Sequence, residues 1–463
     1  MSNESKSMAV LEENKMGVMP VGRLLFSMSL PMMLSMLVQA LYNIVDSIFV
    51  AKLSEDALSA VSLAFPLQTL IFAVGGGTCV GVNALLSRAL GEKDFKKAND
   101  VAMNGAFLTV LSYVVFLILG LTVVKPFYVG QLNGTSSPIY GMGVDYLSTV
   151  MIFSIGVFCQ MYFERLLTST GKTVYTMLSQ LTGAVINIIL DPILIFGLLG
   201  APAMGVTGAA VATVIGQCGA AILSAAFNVK FNHEVDLKIK GFRPSAKIIG
   251  PIYAIGIPSI IMQSIGSIMT YCMNRILIGF SSTATAVFGV YFKLQSFFFM
   301  PLFGLNNGIT PIIAYNYGAQ KKHRMIKTIK LSLVVSFCLT FVGFLGFELI
   351  PDKLLGLFAA SPAMITIGVP ALRIIGIHFL IAWFCIIAGT VFQSLGKAVY
   401  SMVVSVMRQL VVLIPAAYLL AHFGGLHATW WSFPIAESMS LAVSTIFLFR
   451  IYKKIIKPLP DKE

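Results

Sequence analysis

Charge is what this sequence has least of. Asp, Glu, Lys and Arg make up 11% of its 463 residues, against about a quarter in soluble domains. So little charge cannot coat a water-soluble globule of this size, and 57% of the residues are hydrophobic. Acids are the scarcer sign, 19 against 32 bases, so any acid inside an apolar run stands out. Signatures of catalysis are also missing. There is no GxSxG and no HExxH, and the Gly75-Gly76-Gly77 run lacks the Lys-Ser/Thr that a phosphate-binding loop needs. Those glycines are expected to permit close helix packing. The six cysteines (Cys79, Cys159, Cys218, Cys272, Cys338, Cys385) form no CxxC pair. They are expected to be small hydrophobes in helices, with no disulfide and no metal.

What is present instead is long apolar runs. Twelve are helix-length, unlike the ten-residue alternating segments of an outer-membrane barrel. They span 24–50, 57–87, 101–124, 142–166, 174–199, 205–229, 249–279, 284–317, 326–350, 363–394, 399–422 and 427–451. The expected fold is an all-α integral membrane protein with twelve transmembrane helices. Several runs exceed the ~20 residues that cross a bilayer, so tilts, kinks or projecting ends are expected. The first run is too long for a cleaved signal peptide, and the polar tail before it is expected to remain.

The net charge of +13 fits a membrane surface and not a nucleic acid. With both termini in the cytoplasm, 26 of the 32 Lys and Arg residues fall in cytoplasmic segments. Lys52, Lys125, Arg275, Lys353 and Arg373 lie outside, and Lys293 falls within helix 8. That bias follows the positive-inside rule and predicts a multi-pass protein of the cell (inner) membrane.

The chain repeats itself. Leu30-Pro31 in helix 1 answers Ile257-Pro258 in helix 7, an offset of 227. At the same offset Gln68, Gly77, Gly81 and Gly91 of helix 2 answer Gln295, Gly304, Gly308 and Gly318 of helix 8. Gly171-Lys172 with Val174-Tyr175 answers Gly396-Lys397 with Val399-Tyr400 at an offset of 225. Six helices are therefore duplicated, and an even number keeps both halves in one orientation, as in parallel-repeat transporters. The expected organisation is a tail 1–23, a bundle 24–229, a polar basic linker 230–248, a second bundle 249–452 and a tail 453–463. The two pseudo-symmetric six-helix bundles flank a central cleft, and rocking between them alternates access.

Two acids lie inside this apolar frame. A carboxylate in the hydrocarbon layer costs a few kcal/mol or more and is seldom there without a task. Asp46 is about four residues, ~6 Å, before the outer end of helix 1, and Asp191 about eight, ~12 Å, before that of helix 5. Each has a polar neighbour one turn back on the same face: Tyr42 for Asp46, Asn187 for Asp191. Ser35, Gln39, Tyr42, Asn43 and Asp46 form a polar stripe that should face a cavity. In the second half Asp46 maps to Met273 and Asp191 to Ala416, so the acids are no requirement of the shared fold. They point to a cation-responsive site in the first lobe, because burial disfavours a carboxylate's charged form and a second acid couples the titrations.

Other polar residues leave more open. Asp191 precedes Pro192; since Ile193-Leu194-Ile195-Phe196 continues the apolar run, a kink beside a functional acid is expected. Glu164 in helix 4 suits either an inner-interface salt bridge or a transport role, and its neighbour Arg165 points about 100° away. Thr213 and Gln68 could line the same cavity or simply bond between helices. The second lobe is greasier, with Phe292, Phe297, Phe298, Phe299, Met300 and Phe303 crowding helix 8 around Lys293. Glu437 in helix 12 is the proposed partner of Lys293.

Three segments carry a family resemblance: Leu41-Tyr42-Asn43-Ile44-Val45-Asp46, the Leu90-Gly91-Glu92-Lys93-Asp94 turn, and Asn187 through Gly197. They resemble the multidrug and toxic compound extrusion (MATE) family, in its DinF-like, MepA-like branch, and the resemblance covers the whole chain. It implies a secondary active multidrug efflux transporter exchanging organic cations, drugs and dyes, for H+ or Na+. It implies that Asp46 and Asp191 carry coupling and substrate recognition, with Tyr42, Asn187 and Thr213 beside them and Na+ held, if used, by Asp46, Asp191 and Asn187. The NorM-like branch places acids in helices 7 and 10. Here helix 7 offers Gln263 and helix 10 has no acid, which argues against a second-lobe sodium site. Lys293, Gln263, Phe292 and Met300 are the second-lobe candidates for the substrate cleft.

The expectation is an antiporter in the lipid bilayer, not an enzyme, with no cofactor, no nucleic acid and no obligate protein partner. The alternative is a lipid-linked saccharide flippase of the same superfamily. That would need several bases to hold a diphosphate, and only Lys293, Arg275 and Arg408 are candidates. The major-facilitator class also has twelve helices in two repeats, but its charged signature loop is missing from 87–100.

Overall fold

The computed structural model describes residues 14–132, 134–237, 242–358 and 360–461. Its spanning helices are α1 (Val21–Ala51), α2 (Glu55–Gly91), α3 (Phe95–Thr122), α4 (Pro138–Ile152 with Ile155–Ser169), α5 (Thr173–Phe196) and α6 (Val206–Phe231). The second half repeats them as α7 (Ala246–Ile278), α8 (Ser282–Gly318), α9 (Lys322–Leu349), α10 (Pro362–Gly376 with Phe379–Ser394), α11 (Ala398–Thr429) and α12 (Ser432–Ile456). All six cysteines lie in helices, as the sequence suggests. At 37 residues each, α2 and α8 are about 55 Å long, well beyond the ~30 Å hydrocarbon layer. Their ends project from it.

Two spans are broken, α4 by 42° and α10 by 48°. Neither break is at a proline: they fall at Phe153-Ser154 and Ile377-His378, equivalent places in the two halves. The kink expected at Pro192 is not among the broken spans. α5 runs through Pro192 to Phe196 and stops at Gly197, whose φ of +74° suits glycine.

The duplication extends to the backbone. Ser54 and Ser281 cap the starts of α2 and α8, their hydroxyls accepting from Ala57 N and Ala284 N, both at 3.0 Å. Past the far ends of these helices, Lys93 and Gln320 adopt left-handed φ values of +59° and +58°. The next amides, of Asp94 and Lys321, donate back to Ala89 O and Asn316 O at 3.0 and 2.9 Å. All three pairs sit at the offset of 227.

The lobes meet at the end that carries both termini, called here the basal end. A Cβ on Gly91 would collide with the carbonyl oxygen of Tyr315, and one on Gly318 with that of Arg88. Position 315 is the repeat of position 88, so the seam is two-fold. Farther along, Gly77 admits the α7 backbone at Gly256 and Ile260, and Gly304 admits α1 at Met32 and Met33. These approaches lie in the basal halves of α1, α2, α7 and α8, which makes the basal side the sealed one.

Residues 14–20 reinforce that seal. Asn14 Nδ2 donates to Thr170 O of the first lobe at 3.1 Å and to both oxygens of Glu234 in the linker at 2.9 and 2.8 Å. Two residues on, Met16 O accepts from Asn316 Nδ2 and Arg324 Nη2 on the second lobe, at 3.1 and 3.2 Å.

Candidate functional site

Helical spacing puts Ser35, Gln39 and Tyr42 on one face of α1. All three line a cavity of about 120 Å³ inside the first lobe. Across it stand Gln160 and Glu164 from α4, Gln180 and Asn187 from α5, and Thr213 from α6. Neither Asp46 nor Asp191 lines it, and Asn43, expected in the stripe, is exposed and outside the lining. It sits about 100° round the helix from Tyr42.

The acids stand one turn distal to Tyr42 and Asn187. α5 ends sooner than the apolar run suggests, at Phe196. Asp191 is therefore five residues from its helix end, and Asp46 five from Ala51. Being level, the two carboxyl groups are close enough to influence each other's charge. Asp191 is wholly buried and Asp46 partly so. Two neighbouring carboxylates repel unless a proton or a cation lies between them.

The surroundings supply few donors. Asn187 Nδ2 donates to Asp191 Oδ1 at 3.2 Å and to Thr213 Oγ1 at 3.3 Å. Asp46 Oδ1, Asp191 Oδ2 and Asn187 Oδ1 are buried with no hydrogen-bond partner. Buried acceptors without donors are costly and rare in native structures. Two carboxylate oxygens, an amide oxygen and a nearby hydroxyl are hard oxygen ligands that suit a hard monovalent cation, and the carboxylates equally suit a proton.

Glu164 lines the basal half of the cavity, with Thr168 and Thr176 beyond it. It is 5% exposed, and it accepts from Gln160 Nε2 at 2.9 Å and Gln180 Nε2 at 2.7 Å. Arg165 turns away, as expected, and donates to Asn307 Oδ1 of the second lobe at 2.8 Å. The salt bridge considered for Glu164 does not form. Among the described residues none of Asp46, Glu164 and Asp191 is ion-paired with a base.

Gln68 does not line this cavity. Its Nε2 donates to Tyr146 Oη at 3.0 Å, a phenol within Coulombic reach of Asp46. Tyr146, Gln160 and Gln180 are the participants that sequence reasoning missed. An isolated glutamine or tyrosine in an apolar helix was the available signal, but it does not say which way the side chain faces.

In the second lobe Lys293 does not meet Glu437. Lys293 is exposed, its Nζ 6.0 Å from the Phe358 ring centroid. Glu437 pairs with Arg408, Nη1 to Oε2, at 3.1 Å. A π turn at Met407–Leu413 re-aims this stretch of α11, as such insertions do. Gln263 is exposed at the groove between the lobes, its amide 3.4 Å from where a Gly76 Cβ would be. Phe292 is half-buried against the hydrophobic core, and Met300 is half-buried.

A family model for MatE matches the chain twice, over residues 31–193 and 258–419. The two matches begin 227 residues apart, at the repeat offset. The chain is 27% identical over 437 residues to a multidrug export protein MepA from Staphylococcus aureus, covering 93% of this chain and 94% of that one. It is 25% identical to the MepA of Staphylococcus saprophyticus, covering 91% and 92%. The fold is shared with an outward-facing multidrug resistance MATE family transporter of the MOP superfamily, at TM-score 0.90, 24% identity and 97% and 99% coverage. It is also shared with a MOP superfamily transporter from Pyrococcus furiosus, at TM-score 0.89, 23% identity and 97% and 99% coverage. With more than half its length matched by the family model, the chain belongs to the MatE family, whose members are membrane transporters and not enzymes.

Proposed function

We propose that this protein exports organic cations from the cell in exchange for H+ or Na+, by alternating access between lobes 24–229 and 249–452. The tails 1–23 and 453–463 and the linker 230–248 lie on the cytoplasmic side in this reading, which makes the basal end the inner one. One observation supports it: three buried oxygens, on the neighbouring residues Asp46, Asp191 and Asn187, that have no donor.

Water shares about 30 Å³ per molecule in the liquid, so a cavity of about 120 Å³ holds only a few waters. Drug-sized ligands need roughly 300–1,000 Å³. The first-lobe cavity therefore suits the small ion, and the substrate occupies the groove between the lobes. Asp46, partly exposed, is the acid it meets first. With the pair charged, an organic cation is held electrostatically. A proton or Na+ entering from outside discharges the pair, and the substrate leaves. Glu164 gives the ion a further station, its two glutamine donors standing in for water. Exchange requires that ion and substrate bind the two lobe arrangements differently.

The test is ethidium efflux from proteoliposomes under a proton gradient alone and then a sodium gradient alone. Asp191→Asn, reconstituted at native density, is expected to lose gradient-driven efflux. Undiminished, gradient-dependent efflux by that variant would refute the reading. The flippase alternative loses support because Arg408, one of its three candidate bases, is already held by Glu437.

A further inference from the structure

A second cavity, of about 490 Å³, lies at the basal face between the lobes, apart from the acids. Its floor is apolar, formed by Leu85, Ile255, Leu395 and Ile451. Its rim carries four bases: Arg88 from the first lobe, and Lys397, Arg450 and Lys454 from the second. No acid lines it. Arg88 gives its Nε to Glu92 at 2.8 Å and lies over the Tyr317 ring. Lys397, Arg450 and Lys454 are exposed and have no ion-pair partner among the described residues.

The repeat says what such a place takes. Lys397 follows Gly396 in the turn that answers Gly171-Lys172. In the first lobe the chain fills the turn itself. Lys172 Nζ is 3.4 Å from Glu234 Oε1, and a Cβ on Gly171 would lie 3.0 Å from Lys15 Cε. In the second lobe a Cβ on Gly396 would meet nothing within 4 Å. In each lobe the tyrosine of the turn stacks on a phenylalanine of the last helix, Tyr175 on Phe231 and Tyr400 on Phe447, each at 4.5 Å between centroids. One turn carries its own carboxylate and the other stands open among four bases.

We propose that this cavity binds a phosphate-bearing anion from the basal side. A carboxylate would offset one of the bases. A phosphate group offers up to two charges and several oxygens to bases arriving from α2, α11 and α12. The apolar floor under a basic rim suits a phospholipid headgroup with part of its chain, and the same bases accept a free phosphate. Because Arg88 and Lys397 stand on opposite lobes, the bound anion ties the lobes across their sealed face and favours that arrangement.

The probes are inorganic phosphate, added to delipidated protein in neutral detergent, and phosphatidylcholine nanodiscs with or without phosphatidylglycerol. The readout is the midpoint of thermal unfolding against probe concentration. The native chain is expected to be stabilised in at least one arm. Stabilisation by phosphate in detergent assigns a soluble anion, and stabilisation only with phosphatidylglycerol assigns a headgroup. Lys397→Ala/Lys454→Ala is expected to weaken that binding on the order of thirtyfold, at about one lysine's surface attraction each. Lys96→Ala/Lys247→Ala removes the same charge from exposed sites elsewhere and is expected to leave binding unchanged. No stabilisation in either arm, or equal weakening by both double variants, overturns the proposal.

Discussion

Removing one partner of the Arg408–Glu437 pair should cost more from one side than from the other. The Glu437 side chain is 3% exposed and that of Arg408 31%. Glu437 Oε1 has no hydrogen-bond partner even with the arginine in place. Arg408→Met therefore leaves an uncompensated carboxylate with almost no water, and the expected cost is about 3–5 kcal/mol. Glu437→Leu leaves the less buried guanidinium unpaired, so its cost is expected at about 1–3 kcal/mol. The double variant Arg408→Met/Glu437→Leu removes both charges and should fall within about 1 kcal/mol of the native protein, or above it. Thermal unfolding of purified protein in neutral detergent reads the order: double variant and native together, then Glu437→Leu, then Arg408→Met. An inverted order of the single variants would refute the burial argument. Ethidium efflux supplies the functional arm. The double variant is expected to transport normally, because the ion site proposed above lies in the first lobe. A stable double variant without efflux would place the second lobe in the coupling path.

Two further outcomes are expected. Gly91→Val puts methyl groups against the Tyr315 carbonyl, overpacking the basal seam by about 1–3 kcal/mol. A cysteine at position 33, facing Gly304, should then react faster with an impermeant maleimide applied from the basal side, and unchanged reactivity would sink the seal. At Glu92, burial opposes the charged form, but hydrogen bonds from Lys97 and Arg88 outweigh it and hold the carboxyl below its ordinary range. Its stabilisation is thus present above the ordinary glutamate range near ~4.3 and fades as pH falls through the lower folded value. These groups are surface-exposed, so the loss in Glu92→Gln should stay under about 1 kcal/mol at neutral pH and vanish in acid. A deficit that ignores pH would refute the assignment.

Much of the fold was legible because the bilayer forces it. Each run must satisfy its backbone internally, so apolar length alone marks a helix. The repeat was legible because its glycines are constrained by two-fold contacts: Gly91 and Gly318 each face the other lobe's backbone. Helix ends were read less well. The apolar run through Leu199 hid the stop at Gly197, which set Asp191 too deep relative to its helix end. The bends at Phe153-Ser154 and Ile377-His378 have no proline to announce them, whereas the helix through Pro192 is not interrupted. Partner choice was the weakest inference. Lys293 and Arg408 are both lone bases in apolar helices, and only the π turn and the crossing of α11 with α12 choose between them.

The sequence by itself determined that two carboxylates lie in membrane helices of the first half and that their repeats do not. That is a one-dimensional fact, carried by hydropathy and an offset. Tertiary structure decided that Asp46 and Asp191 are neighbours, that Glu164 is held by Gln160 and Gln180 and not by Arg165, and that the second Gly-Lys turn stands open while the first is filled. The reason is geometric. Periodicity fixes which face of a helix a residue occupies, but contact between helices depends on their relative rotation and depth, which only packing sets.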